Sequence, residues 1–165
     1  MIFLANAKWV LNNDRAENNF LKVELNLGFT HKLTSEGKLT FASMVKLKSI
    51  FGDGFEFFQA AAIGGDDDLR GFRAGRFMGN RTFVQTSDLR YDLLKLKIGI
   101  PMRLGVFTGF DYGRVWLEHE KSNRWHTSYG GGIWLNGAQM ITARISYFKG
   151  ADVGRIVFGL NFGFN

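Results

Sequence analysis

Gly64-Gly65-Asp66-Asp67-Asp68-Leu69-Arg70-Gly71-Phe72-Arg73 decides how the rest of the chain is read. The stretch lies near the middle, between segments of alternating apolar and polar residues, and is too rich in glycine and charge to be a strand. Clustered Gly and Asp mark a loop. Arg70 sits between Leu69 and the permissive Gly71, which suits either a solvated loop charge or the tip of a loop folded back onto acidic partners. Two later stretches supply candidate partners, Ser87-Asp88-Leu89-Arg90 and Phe110-Asp111-Tyr112-Gly113-Arg114-Val115-Trp116.

Around this loop the chain alternates. Leu21, Val23, Leu25, Leu27 and Phe29 interleave with Lys22, Glu24, Asn26, Gly28 and Thr30, the period of two of a strand with one apolar and one polar face. The same pattern recurs at Leu39 to Lys48, Phe55 to Ile63, Phe83 to Leu93, Pro101 to Asp111, Trp125 to Leu135, Ile141 to Tyr147 and Ile156 to Phe164. Asn136-Gly137 is the strongest short hairpin signal. Counting from Phe20 predicts eight strands whose two ends lie on one side, as a closed up-and-down barrel needs. Residues 1–19 read as a lead, a short amphipathic helix or partial strand followed by a polar turn, and residues 20–165 as the barrel.

The polar face carries Lys22, Glu24, Lys46, Lys48, Asp88, Arg90, Arg103, Asp111, Arg144 and Arg155. Charges of both signs at that density are too costly for a dry sandwich core. They suit a wet or ion-paired barrel interior with the aliphatic residues turned to lipid. A lipocalin-like barrel would invert the two faces, and periodicity alone does not separate these cases.

Composition narrows the function classes. The chain has 165 residues, enough for one domain, with 17 Phe, 21 Gly, one Pro and no Cys. It therefore has no disulfide framework and no thiolate metal site. The net charge of +6 is spread singly through alternating segments, which argues against a nucleic-acid partner. No apolar run is long enough for a transmembrane helix. Met1-Ile2-Phe3-Leu4 lacks the charged start and long apolar core of a secretory signal, so an exported protein is expected here in its mature form.

No Gly-x-Ser-x-Gly nucleophile elbow occurs, and no catalytic residues are expected. His31, His119 and His126 show no ligand spacing. Asp66-Asp67-Asp68 lacks the alternation and final Glu of a calcium loop, and reads as a solvated or interior-facing acidic run. Gly130-Gly131-Gly132 has no following Lys or helix to make a phosphate cradle. Neither a metal nor another cofactor is expected.

The combination of Gly64-Gly65, Leu69-Arg70-Gly71-Phe72 and the later Phe110-Asp111-Tyr112-Gly113 resembles the outer-membrane assembly superfamily, of bacterial surface antigen type. That superfamily includes the BamA insertase, its TamA relative and the two-partner-secretion transporters. The resemblance runs from about Gly64 to the C-terminus and more weakly back to Phe20. It implies an all-β, antiparallel transmembrane barrel with a long extracellular Arg-Gly-Phe loop folded into the lumen. It also implies that Arg70 pairs with Asp111 of the aromatic-x-Asp-x-Gly motif (Phe110, Asp111, Gly113) and with a second acid at Asp88. Trp116, Trp125, Trp134 and Tyr147 near strand ends favour lipid over the inverted barrel. Alternating Phe158, Leu160, Phe162 and Phe164 resemble the C-terminal signal of outer-membrane barrels, with Asn165 following.

Family barrels usually have sixteen strands behind periplasmic domains, with five strands after the loop. Here five follow the loop and three precede it, half a usual barrel. The implied role is outer-membrane protein assembly or outer-membrane biogenesis at the bacterial outer membrane. Outer-membrane lipids, client outer-membrane proteins and a second copy of the chain are the partners it suggests. A small structural or binding barrel without insertase activity, and the anchor or pore domain of a larger protein, are the alternatives.

Overall fold

The computed structural model describes residues 2–10, 19–52, 55–117, 123–138, 140–151 and 154–162. In chain order its strands are β1 (Ile2–Val10), β2 (Phe20–Lys32), β3 (Leu39–Phe51), β4 (Ala61–Ile63), β5 (Phe77–Gly79), β6 (Arg81–Ile98), β7 (Ile100–Trp116), β8 (His126–Gly137), β9 (Ile141–Lys149) and β10 (Gly154–Phe162). Eight of them form one antiparallel sheet in the order β1-β2-β3-β6-β7-β8-β9-β10, and β4 pairs with β5 in a small ribbon of its own. Every neighbour in the large sheet is joined by a hairpin or by the long loop between β3 and β6. Among the described residues no ladder joins β1 to β10, so the sheet is an open wall.

Among the described residues there are therefore ten strands, against the eight expected, and the large sheet has a different membership. Ile2–Val10 is a full edge strand, paired with β2 from Ile2↔Gly28 to Val10↔Phe20, where a helix or partial strand was one expectation. Lying along β2 gives both backbones hydrogen-bond partners that a surface helix would have denied to β2. Phe55 to Ile63, expected as a barrel strand, instead gives a short 3-10 turn, Phe57–Gln59, and the three-residue β4 inside the loop. Its apolar residues Phe55 and Ala61 pack with Phe20 and Ile50 at the top of β2 and β3, not against lipid. Asn136 and Gly137 are the last residues of β8, and the reversal falls just after them, where Ala138 takes a positive φ of 53°.

Register settles which face is which. Glu24 opposes Lys48, Ala42 opposes Asp88, Thr86 opposes Asp111 and Asp111 opposes Ser128, so the charged positions form rows on a single face. The opposite face presents Leu25, Phe29, Leu47, Leu89, Ile133, Ile145, Phe158 and other large apolar side chains, all exposed. A contiguous apolar surface of this kind marks contact with another apolar phase. The inverted, lipocalin-like arrangement is thus excluded: the aliphatic face points outward. The outer face also gathers Phe83, Tyr112, Trp116 and Trp125 into one aromatic cluster beside the loop ends of β6 and β7. Amphipathic rings at that level suit a membrane interface. Trp134 departs from the expectation: it lies on the inner face, across from Gly105, beside a polar cavity.

The outward face yields a direct test. Ile133, mid-strand in β8 and half exposed (50%), is expected to tolerate Arg in a water-soluble protein within about 0.5 kcal/mol. In a lipid-embedded barrel Ile133→Arg costs about 2–4 kcal/mol near the midplane. Urea unfolding in phospholipid vesicles distinguishes the two, and an unchanged midpoint would place this face in water.

Candidate functional site

The loop between β3 and β6 lies against the inner face of the sheet. Gly64 and Gly65 both take positive φ values, 112° and 107°, which residues with a Cβ rarely adopt. The Gly65 amide then donates to the Leu69 and Phe72 carbonyls at 3.3 and 3.1 Å, and the Asp68 amide donates back to Gly65 at 3.2 Å. This closes a tight turn with Leu69 and Phe72 pointing into a small core with Ile63 and Val84. Phe77 and Val115 pack against that core, and His126 of β8 stacks on Phe77 with ring centroids 3.6 Å apart. The turn leaves Arg70 as its tip.

Arg70 is 4% exposed and reaches two strands. Its Nη2 donates to Asp111 Oδ1 at 2.6 Å, and its Nε and backbone amide donate to the same carboxylate at 3.1 Å. Its Nη1 lies 2.8 Å from Asp88 Oδ1. The guanidinium also sits over the Phe148 ring, 4.0 Å from the centroid. Asp111 is completely buried and accepts a further bond from Ser128 Oγ at 2.8 Å, while Arg90 Nη2 donates to Asp88 at 2.9 Å. Burial works against the charge on Arg70, but the hydrogen bond and charge of Asp111, with Asp88 behind them, outweigh it and lift its pKa above the ordinary arginine value. Such multidentate, charge-assisted contacts fix orientation as well as position.

Two glycines make this approach possible. A Cβ at Gly109 would stand 2.5 Å from Arg70 Nη2 and 2.8 Å from Asp88 Oδ1. One at Gly71 would press within 2.5 Å of the Gly150 amide nitrogen. The Arg-Gly pair is therefore a steric unit: the arginine reaches the wall because the next residue has no side chain to hold the loop off.

The acidic run is split: Asp68 is buried while Asp66 and Asp67 remain exposed, and all three have basic partners from the two flanks of the inner face. Lys46 Nζ of β3 donates to Asp68 Oδ1 at 3.0 Å and to the Asp67 carbonyl at 2.7 Å, and Lys48 Nζ lies 3.6 Å from Asp68 Oδ2. From the other side Arg144 of β9 lies 3.8 Å from Asp67, and Arg155 of β10 lies 3.5 Å from Asp66. Arg155 also donates to the Phe72 carbonyl. One loop is thus held by β3, β6, β7, β8, β9 and β10, which requires the sheet to curve around it.

The structure brings Arg70, Asp111 and Asp88 together, with Gly64, Gly65, Leu69, Gly71 and Phe72 building the turn that presents them. Gly113 lies on the same inner face, where a Cβ would crowd the Phe83 carbonyl at 2.8 Å. Phe110 does not join them: it faces outward and packs beside Tyr112. Phe158 and Leu160 face outward on β10. Phe162 ends that strand, and Phe164 lies outside the described residues. Sequence reasoning did not assign Ser128, Phe148, Lys46, Lys48, Arg144 or Arg155 to the site. Ser128 heads the small-residue stripe of β8, and the four bases share the polar parity, but nothing local to them names the loop as their partner.

Removing Arg70 strands the buried Asp111 carboxylate without its charge partner. Arg70→Ala is expected to cost about 3–5 kcal/mol, and Arg70→Lys to recover only part of this because an ammonium cannot span both acids. Urea unfolding in lipid measures the loss, and trypsin cleavage after Arg73 or Arg76 reports loop release. Wild-type stability together with a protected loop in Arg70→Ala would show that the network holds nothing in place.

The Omp85 superfamily domain matches residues 4–164. A comparison with curated proteins finds no match. Among solved structures the fold is similar to the crystal structure of BamA from Haemophilus ducreyi lacking POTRA domains 1-3, with a TM-score of 0.66 and 19% identity. That likeness covers 87% of this chain and 35% of the other, so the chain spans about a third of the protein it resembles. The outward apolar face, the inward charged face and the domain match over nearly the whole length agree: the chain belongs to the Omp85 superfamily.

Proposed function

We propose that this protein is an integral barrel component of the bacterial outer membrane that contributes to assembly of outer-membrane proteins, or more broadly to outer-membrane biogenesis. The reading rests on the superfamily membership and on one observation, the Arg-Gly-Phe loop bound across the inner face. A loop held by Arg70, Asp111 and Asp88 and flanked by four wall bases occupies the space a diffusion channel would need. Its activity is therefore exerted by the wall and its edges on the surrounding bilayer and on other strands. The loop's role is to hold the curvature of the wall, as a brace anchored at both flanks.

Proteoliposomes test this reading. Vesicles carrying the protein are expected to speed folding of a urea-unfolded outer-membrane barrel several-fold over empty vesicles, with Arg70→Ala vesicles falling toward the empty rate. Equal rates in all three would leave a structural or binding barrel as the function and refute the assembly role.

A further inference from the structure

The two faces of the sheet differ in the sign of their charge as well as in its amount. Acids and bases occur together on the inner face. Among the described strand residues, cross-strand pairing puts no acid on the outward face and three bases, Arg81 at the start of β6, Arg114 near the end of β7 and Lys149 at the end of β9. All three lie toward the end of the wall from which the Arg70 loop enters.

That end is also the aromatic one. Arg81 stands opposite Ser49 on one side and Trp116 on the other, and Arg114 stands opposite Phe83. The Arg114 guanidinium lies 4.8 Å from the Trp116 ring centroid and 5.9 Å from that of Trp125, and its Nη2 donates to Asn123 Oδ1 at 2.6 Å. Arg81 lies 5.8 Å from the Phe51 ring centroid, and among the described residues no carboxylate pairs with it. Tyr91, ten residues further along β6, is exposed on the same face. At about 3.4 Å per residue and a tilt of about 40°, the wall between these levels is about 25 Å tall, the height of the apolar band of an outer-membrane span. Arg81 therefore stands where headgroups begin, not among acyl chains.

Beside Arg81 the wall is indented. A groove of about 550 Å³ is bordered by Leu47, Ser49, Phe51, Arg81, Trp116 and Leu117. Leu25, paired with Leu47, continues the exposed apolar surface away from it. A guanidinium presents its donors in a fork that matches phosphate oxygens. Basic pockets facing the bilayer at this level suit lipid head groups.

We infer that this groove binds a membrane lipid by its phosphate. Arg81 is the direct ligand, Arg114 supplies a second positive charge diagonally across the β6–β7 pair, and the acyl chain lies along Leu47. The lipid is the occupant because the groove opens onto the face that meets the bilayer and offers a chain an apolar bed, which a free phosphate ion would not use.

The inference rests on the outward face meeting lipid, and the test separates the two. The protein is folded into phosphatidylcholine vesicles that contain a small share of either phosphatidic acid or phosphatidylcholine brominated near the glycerol end of its chains. Tryptophan emission is then read, since Trp116 borders the groove and Trp125 adjoins Trp116. Quenching by the brominated phosphatidic acid is expected to be several-fold stronger than by the same share of brominated phosphatidylcholine. Arg81→Gln is expected to lower it to the phosphatidylcholine level and Arg81→Lys to keep most of it. Lys95→Gln, which removes a charge near the other end of β6, is expected to keep all of it. Inorganic phosphate at constant ionic strength is expected to relieve none of it. Equal quenching by the two lipids, or a preference that survives Arg81→Gln, would overturn the proposal alone, with quenching by phosphatidylcholine showing that each variant is still embedded. Relief by inorganic phosphate would make this a free-anion site and overturn the lipid assignment. No quenching by either lipid would overturn the lipid-facing reading of the wall, and this inference with it.

Discussion

A guanidinium withdrawn from water must be met by fixed acceptors, and in this fold that requirement organises everything near it. Arg70 is satisfied only when a loop, β6 and β7 occupy one set of relative positions, because Asp88 and Asp111 come from different strands. Taking the ions out of water is expensive, so the arrangement is a weak source of net stability but a strong source of uniqueness. Small residues on the wall, Gly109 above all, are the steric counterpart of the same demand. The loop has one seat because its charge has one set of partners.

The acidic run extends this logic outward. Three consecutive aspartates would repel one another on a free loop, and here each faces a base from a different part of the wall: Asp66 with Arg155, Asp67 with Arg144, Asp68 with Lys46 and Lys48. Positive charge scattered singly along the strands thus has a use that no single strand reveals. The core of this molecule is not between two sheets. It is the contact between an inner wall and the loop it surrounds, while the conventional apolar residues face the other way.

Much of this was legible in the chain, and the gaps have physical causes. Alternation gave β2, β3 and the five long strands after the loop because each has one face to the loop and one to lipid, and the period of two is interrupted only locally, as at the register shift between Asp92 and Leu94. It misread Phe55 to Ile63 because small and aromatic residues packing under a loop can imitate a strand for several positions. It left residues 2–10 undecided because an edge strand has only one neighbour to enforce its pattern. The Arg70, Asp111 and Asp88 grouping was legible only through the resemblance: spacing along the chain says nothing about which residues meet across a sheet. The flanking bases were missed for the same reason, and Trp134 was misassigned because a strand end can point its ring to either face.

The sequence separations in the interior carry a consequence for how the molecule comes together. The hairpins β2–β3, β6–β7 and β8–β9 close through near neighbours, and such local contacts form early. The loop's contacts do not: Arg70 meets Asp111 41 residues on, the Asp66 carbonyl meets Arg144 78 residues on, and the Phe72 carbonyl meets Arg155 83 residues on. The central segment is therefore seated in stages: Arg70 gains its two acids once β6 and β7 are laid down, while Asp66 and Asp67 gain their arginines only with β9 and β10. The last two strands complete the hold on the loop and do not begin it.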